Sequence, residues 1–168
     1  PPPTDEPVSE PAPARVDSAA DLFLAEASPL LTVLPEFLSG QRWFAGKNKS
    51  ISRITMDEAV PVATATTGIF WLAIIEVRFD DQTGQRYALP LSIKSSTEND
   101  PSRIVTFFEA DNPDPQAVFE ASSDPEYWSE FLRSALSNVD SASGTRPGLR
   151  FLKTDPDLTW SAASQIAV

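Results

Sequence analysis

Ile69-Phe70-Trp71-Leu72-Ala73-Ile74-Ile75-Glu76-Val77-Arg78-Phe79 decides the fold. Its odd-numbered positions are all apolar, the period-two pattern of a strand with one face on a core. Phe70, Leu72 and Ile74 make the other face apolar for half its length, so the strand is central and something covers its second face. A polar loop, Asp80-Asp81-Gln82-Thr83-Gly84, turns the chain back into Tyr87, Leu89, Leu91 and Ile93, again alternating. The two runs read as a long antiparallel hairpin. Pro90 has no N–H to give a ladder, which places the returning strand at an edge or beside a bulge.

Upstream, Ile51 to Val60 forms a first strand with Ile54 and Met56 on a shared face. Before it the period is helical. Ser18 caps a short helix through Ala19 to Ala27, and Ser28-Pro29 starts a second, because Pro at the first helical position gives up no hydrogen bond. Leu30, Leu31, Leu34, Phe37 and Leu38 make one apolar face, with Pro35 breaking it into two short helices or a kink and Gly40 stopping it. Residues 1–14 hold six prolines and a single Val, too little to offset their ordering entropy. Residues 1–17 therefore read as a disordered Pro-rich linker, with something attached upstream, and 18–168 as one domain. A first residue that is Pro and not Met reads as processing or excision.

Downstream, Ile104 to Phe108 is a further strand candidate, and Asp111 to Pro115 is a turn cluster. Ser123-Asp124-Pro125-Glu126 reads as a capping box opening a helix to about Ser137 that buries Trp128, Phe131, Leu132 and Leu136. A flexible loop at 141–148 precedes two short strand candidates, Leu149 to Lys153 and Leu158 to Ser161. Helices, strands, helix and short strands in that order give an α+β fold with an antiparallel sheet.

Thirteen basic residues against 24 acidic give a net charge of −11. Such a chain repels phosphate backbones and anionic head groups, so neither nucleic acid nor membrane is an expected partner. No apolar run approaches the roughly 18–20 residues of a membrane span, and no signal peptide is visible. Zero Cys and zero His remove disulfides, thiolate and imidazole metal ligands, and every Ser-His or Cys-His catalytic arrangement. The expected location is cytoplasmic.

The segment between helix and strand, Gln41-Arg42-Trp43-Phe44-Ala45-Gly46-Lys47, is the candidate site. It is not a phosphate-binding loop: five residues separate Gly40 from Gly46 where that loop has four, and Asn48 stands where Ser or Thr would hold magnesium. Arg42, Lys47, Lys49 and Arg53 form a cationic run with no acid among residues 41–56, able to meet an anion or an acidic partner. The plainer reading has these cations solvated or paired with the chain's own carboxylates, Arg42 stacked on Trp43, and Trp43 and Phe44 anchoring the core. The carboxylate pairs Asp80/Asp81, Asp111/Asp114 and Asp155/Asp157 all fall in turn-like stretches that favour Asp. None of the four Asn residues follows an Asp by five positions, so no kinase catalytic loop lies within these residues, and no catalytic residue or metal ligand is assigned.

Leu34-Pro35-Glu36-Phe37-Leu38 followed by Gln41 to Lys47 resembles the entry motif of the N-terminal cap domain of maltokinases. The hairpin Trp71 to Phe79 with Tyr87-Ala88-Leu89-Pro90-Leu91 is similar to the family's next element, and Ala117 to Glu120 before Asp124 to Trp128 matches more loosely. The resemblance covers roughly residues 30–140. It implies a curved antiparallel β-sheet packed on an α-helix, somewhat like cystatins, in front of a two-lobed kinase that phosphorylates maltose at the anomeric position. It places ATP and Mg in the kinase lobes of the parent chain, with no cofactor in this fragment, and makes a trehalose synthase domain a possible fusion partner. Related sugar kinases, including glucosamine-type ones, share the cap. The fragment is expected to be non-catalytic and its parent an enzyme. A stand-alone carbohydrate- or anion-binding module working through Trp43, Arg42 and Lys47 is the alternative, and a cystatin-like inhibitor rests on fold analogy alone.

Overall fold

The computed structural model describes residues 13–25, 28–65, 67–96 and 100–139. In chain order these give β1 (Ala14–Val16), α1 (Asp21–Leu24), α2 (Pro29–Gly40), β2 (Ile51–Ala65), β3 (Gly68–Phe79), β4 (Gly84–Ser95), β5 (Arg103–Glu109), β6 (Gln116–Glu120) and α3 (Pro125–Val139). The six strands form one sheet in the order β1-β5-β6-β4-β3-β2. Every pairing is antiparallel except β1 with β5, so the sheet is mixed where an all-antiparallel one was expected. The class is α+β, as read from the sequence.

The expected antiparallel hairpin forms. β3 and β4 pair from Ile69↔Ile93 to Arg78↔Gly84 without a shift. β2 interrupts its pairing with β3 three times, at Ile51/Arg53, Met56/Glu58 and Pro61/Ala63, and β5 does so once, at Arg103/Val105. An extra residue on one strand bends it and sharpens its twist, which accounts for the sheet curling into a half-barrel. Pro61 sits on β2, an edge strand, where its missing N–H costs the ladder nothing. Pro90 behaves differently from expectation. β4 is an interior strand, but its pairing with β6 begins only at Leu91↔Glu120, and the Pro90 carbonyl accepts from Ala121 N–H just past the end of β6. The absent donor therefore falls where the neighbouring strand stops.

α2 lies in the concave face and touches both β5 and β2. Leu30, Leu34 and Leu38, one turn apart, are fully buried against Ala73, Ile75, Val77 and Phe79 of β3, Leu89 and Leu91 of β4, Phe107 and Val118. Each such leucine contributes about 1.5–3 kcal/mol. That stripe runs through Pro35, which lies inside one helix, so of the two expected outcomes, two short helices or a kink, the first does not occur. Burial on both sides of the proline outweighs its penalty of about 3 kcal/mol. Ser28 begins α2 as read: its Oγ accepts from Leu30 N–H at 3.1 Å and donates to the Leu22 carbonyl, tying α1 to α2. α1 is shorter than expected and starts at Asp21, whose carboxylate accepts from Ser18 N–H at 2.8 Å.

The convex face carries the second apolar cluster, Val62, Phe70, Ala121 and Tyr127, with Leu72 and Phe131 against it. α3 thus covers the second face of β3, as its sequence required. Its phase is not the expected one. Tyr127 and Phe131 point inward while Trp128 (41 % exposed) and Leu132 point out, and the Leu136 side chain lies outside the described residues. The cap is Asp124, not Ser123: its Oδ1 accepts from Glu126 and Tyr127 N–H, and Pro125 opens the helix. β1 lies inside the stretch read as linker, because Ala14 and Val16 pack on the core beside β5. The strand candidates at 149–153 and 158–161 lie outside the described residues.

Candidate functional site

The candidate segment leaves the C-terminus of α2, makes two turns and enters β2. Gln41 N–H bonds the Leu38 carbonyl at 2.9 Å, Phe44 N–H bonds Gln41 at 3.3 Å, and Lys49 N–H bonds Gly46 at 2.9 Å. Alternate residues consequently point in opposite directions. Phe44 is buried against Tyr87 and Phe79, with ring centroids at 5.2 and 6.3 Å. Gly46 is buried beneath the same rings. A Cβ there would stand 2.6 Å from the Phe79 ring and 2.7 Å from Phe44, so no larger residue fits without displacing an aromatic ring.

Arg42, Trp43, Ala45 and Lys47 face solvent, and Gln41 is half-buried. Trp43 is 42 % exposed with one edge against Tyr87, at 6.1 Å between centroids, so it is not the core anchor that composition suggested. Arg42 does not stack on it, whereas Arg15 lies over Phe108, Lys49 over Phe79 and Lys94 over Phe70. Neither Arg42, Lys47 nor Arg53 makes an ion pair among the described residues. Of the cationic run only Lys49 finds a carboxylate, Asp81, at 2.8 Å, with Thr83 Oγ1 also at 2.8 Å. This latch joins the segment to the β3–β4 turn. The hydrogen bond from Lys49, followed by those from the Thr83 side chain and backbone, lowers the Asp81 carboxyl to about 2.

The latch, the Tyr87 shelf beneath Trp43 and the N-terminal clasp of α3 were all missed in the sequence. In the clasp, Lys94 meets Asp124 at 2.6 Å, and Thr67 donates to Glu126. Asp80-Asp81 signalled only a turn, and nothing local to Lys49 or Lys94 names a partner some thirty residues away. A polar cleft of ≈ 570 Å³ opens between β4 and the start of α3, but its carboxylates already serve local turns: Asp100 binds Ser102, and Asp124 caps α3. No group of three His, Cys, Asp or Glu converges on a metal position among the described residues. No described helix is long and apolar enough to cross a membrane.

The site thus separates into an inward half, Phe44 and Gly46, which fixes the backbone, and an outward half, Arg42 and Lys47 facing solvent with Trp43 partly exposed on Tyr87. Residues 37–124 match the family model of the maltokinase N-terminal cap domain, a little over half of the chain. The chain belongs to that family. The match opens on the last turn of α2, takes in the whole candidate segment and β2 to β6, and closes on the residue that caps α3. The matched residues thus hold five of the six strands with the entry segment. β1, α1 and most of α2 lie before the match, and α3 lies after it. No curated protein matches the chain.

Proposed function

We propose that this chain is the non-catalytic N-terminal cap of a larger ATP-dependent maltokinase, which converts maltose and ATP to maltose 1-phosphate. ATP and Mg belong to the kinase lobes, and a trehalose synthase domain fits as a fusion partner in the same trehalose-to-glucan metabolism. The observation that carries this reading is the cap-family match together with an outward half of the signature segment in which Arg42 and Lys47 make no ion pair among the described residues and Trp43 stays partly exposed. Phe44 and Gly46 set the loop so that Arg42, Trp43 and Lys47 project from one end of the half-barrel, toward the kinase part of the parent. Their chemistry suits an acidic surface with an apolar spot for the indole.

An antibody raised against this chain gives the first test. A native product much larger than 18.3 kDa, forming maltose 1-phosphate from ATP and maltose, is the expected result. Arg42→Glu with Lys47→Glu in that product should lower activity while leaving the melting temperature of the cap unchanged. A native product of 18.3 kDa refutes the proposal. A stand-alone carbohydrate- or anion-binding module is the competing reading, favoured by the exposure of Trp43. It requires maltose or phosphate to quench tryptophan fluorescence saturably, with Trp43→Ala abolishing the effect.

A further inference from the structure

Ser92 is a polar residue in a strand where its neighbours Leu91 and Ile93 are buried, and it is itself only 1 % exposed. The register gives its direction. Ser92 lies opposite Phe70 on β3 and Phe119 on β6, and residues opposite one another share a face of the sheet. Phe70 belongs to the convex cluster, so Ser92 points to the convex side. There it lines the polar cleft beside the start of α3, and its hydroxyl makes no hydrogen bond among the described residues. A buried hydroxyl without a partner destabilises the fold, and native structures leave few such groups without a reason.

The cleft surrounds that hydroxyl with fixed donors and acceptors. Its ≈ 570 Å³ falls in the range of about 300–1,000 Å³ common to small-molecule sites. Lys94, two residues along on the same face, stands over the Phe70 ring at 5.7 Å and bonds Asp124 at 2.6 Å, which sets a donor and an acceptor side by side. Asp100 Oδ1 takes the Ser102 N–H and hydroxyl, while Oδ2 accepts nothing among the described residues. Phe119 and Pro101 add apolar wall.

This lining selects a ligand by elimination. Three carboxylates, Asp100, Glu120 and Asp124, against the Lys94 ammonium leave the cleft negative, which turns phosphates and other anions away. The same ammonium opposes an organic cation, and no three carboxylates converge on a metal position among the described residues. An apolar ligand would strand Ser92 and the charges without water. A hydroxyl group both donates and accepts, so adjacent hydroxyls can meet an ammonium, a carboxylate and a serine at once. We propose that this cleft binds a small neutral polyhydroxylated molecule, with Ser92 at its floor and Lys94 and Asp100 at its walls. The site shares no residue with Arg42, Trp43 and Lys47 and does not rest on the kinase reading.

NMR titration of the full chain with sorbitol, myo-inositol and glucose tests it. At least one of the three should shift the Ser92, Lys94, Ser102 and Ser123 amides saturably and leave the Trp43 indole N–H unmoved. Binding of sorbitol as well as the ring compounds assigns the hydroxyls alone as the recognised feature. Binding of the rings without sorbitol assigns a cyclic ligand lying on the Phe119 wall. Ser92→Ala should weaken the interaction at least about fivefold. Its urea midpoint should be unchanged or higher, because the hydroxyl it loses has no partner within the fold. No saturable shift with any of the three compounds overturns the proposal, as do equal affinity in Ser92→Ala and larger shifts with inorganic phosphate. A lowered midpoint in Ser92→Ala overturns it too, since the fold would then be using the hydroxyl.

Discussion

Replacing Tyr127 by Phe should make this protein more stable. Tyr127 is 0 % exposed, held edge-on by Phe70 and Trp128 with centroids at 5.7 and 5.2 Å and stacked on Phe131 at 6.1 Å. Its hydroxyl finds no hydrogen-bond partner among the described residues. A buried polar group left unmatched costs about 1–3 kcal/mol, and Phe keeps the ring contacts while removing that group. The expected gain is about 1–2 kcal/mol, read as a higher urea midpoint at unchanged slope. A second reading comes from alkali. Burial pushes the phenol well above its ordinary value, so the folded form stays neutral after the unfolded phenol, near about pH 10, has ionised. The unfolded state then binds fewer protons than the folded one, so stability falls as pH rises above that point, with a limiting slope of about 1.4 kcal/mol per pH unit. Below about pH 10 this contribution is present in full. Tyr127→Phe should lack that component of the alkaline loss. A variant destabilised by more than about 0.5 kcal/mol, with the alkaline slope unchanged, would show that the hydroxyl is hydrogen-bonded in solution and sink the argument.

Gly46→Ala should destabilise the protein by about 1–3 kcal/mol in urea titration, since its methyl group overlaps the Phe79 and Phe44 rings; an unchanged midpoint refutes the packing account. Asp81→Asn tests the latch. With the Asp81 carboxyl depressed to about 2 by Lys49 and Thr83, its stabilising effect is present above the ordinary 3.8 and is lost as pH falls through about 2. The variant should therefore be less stable than the parent chain at neutral pH and lose less stability as pH falls from 3.8 to about 2, so that the two converge in acid; a difference that persists unchanged in acid refutes the latch.

Much of this fold was legible because two signals are local. The strict alternation in β3 and β4 needs only neighbouring residues, and it gave the hairpin and the covered second face of β3. Ser28-Pro29 and Gly40 likewise delimited α2 without outside help. What could not be read depends on contacts made across the sheet. Pro35 predicts a break unless one knows that Leu30, Leu34 and Leu38 are buried along one wall, and Pro90 predicts an edge unless one knows where β6 ends. β1 was hidden in a proline-rich stretch because three residues carry no period, and only the edge of β5 makes them a strand. In the candidate segment, composition singled out seven residues but not their division into a buried and an exposed half. Phe44 and Trp43 are chemically alike, and only the turn at Gln41 decides that the first is buried and the second exposed.

The pairing of Ala14 with Phe107 joins positions about ninety residues apart, whereas β2, β3 and β4 pair with immediate neighbours in the chain. Closing so long a loop costs entropy that a three-residue strand returns only in part. The meander and α2 are therefore expected to assemble early, and the β1 edge to lock last. The same inequality sets the order of opening. In the native state the β1–β5 margin is the natural place for partial unfolding, well below the energy of global unfolding. Such a margin can detach and reseat many times while the hairpin behind it stays closed.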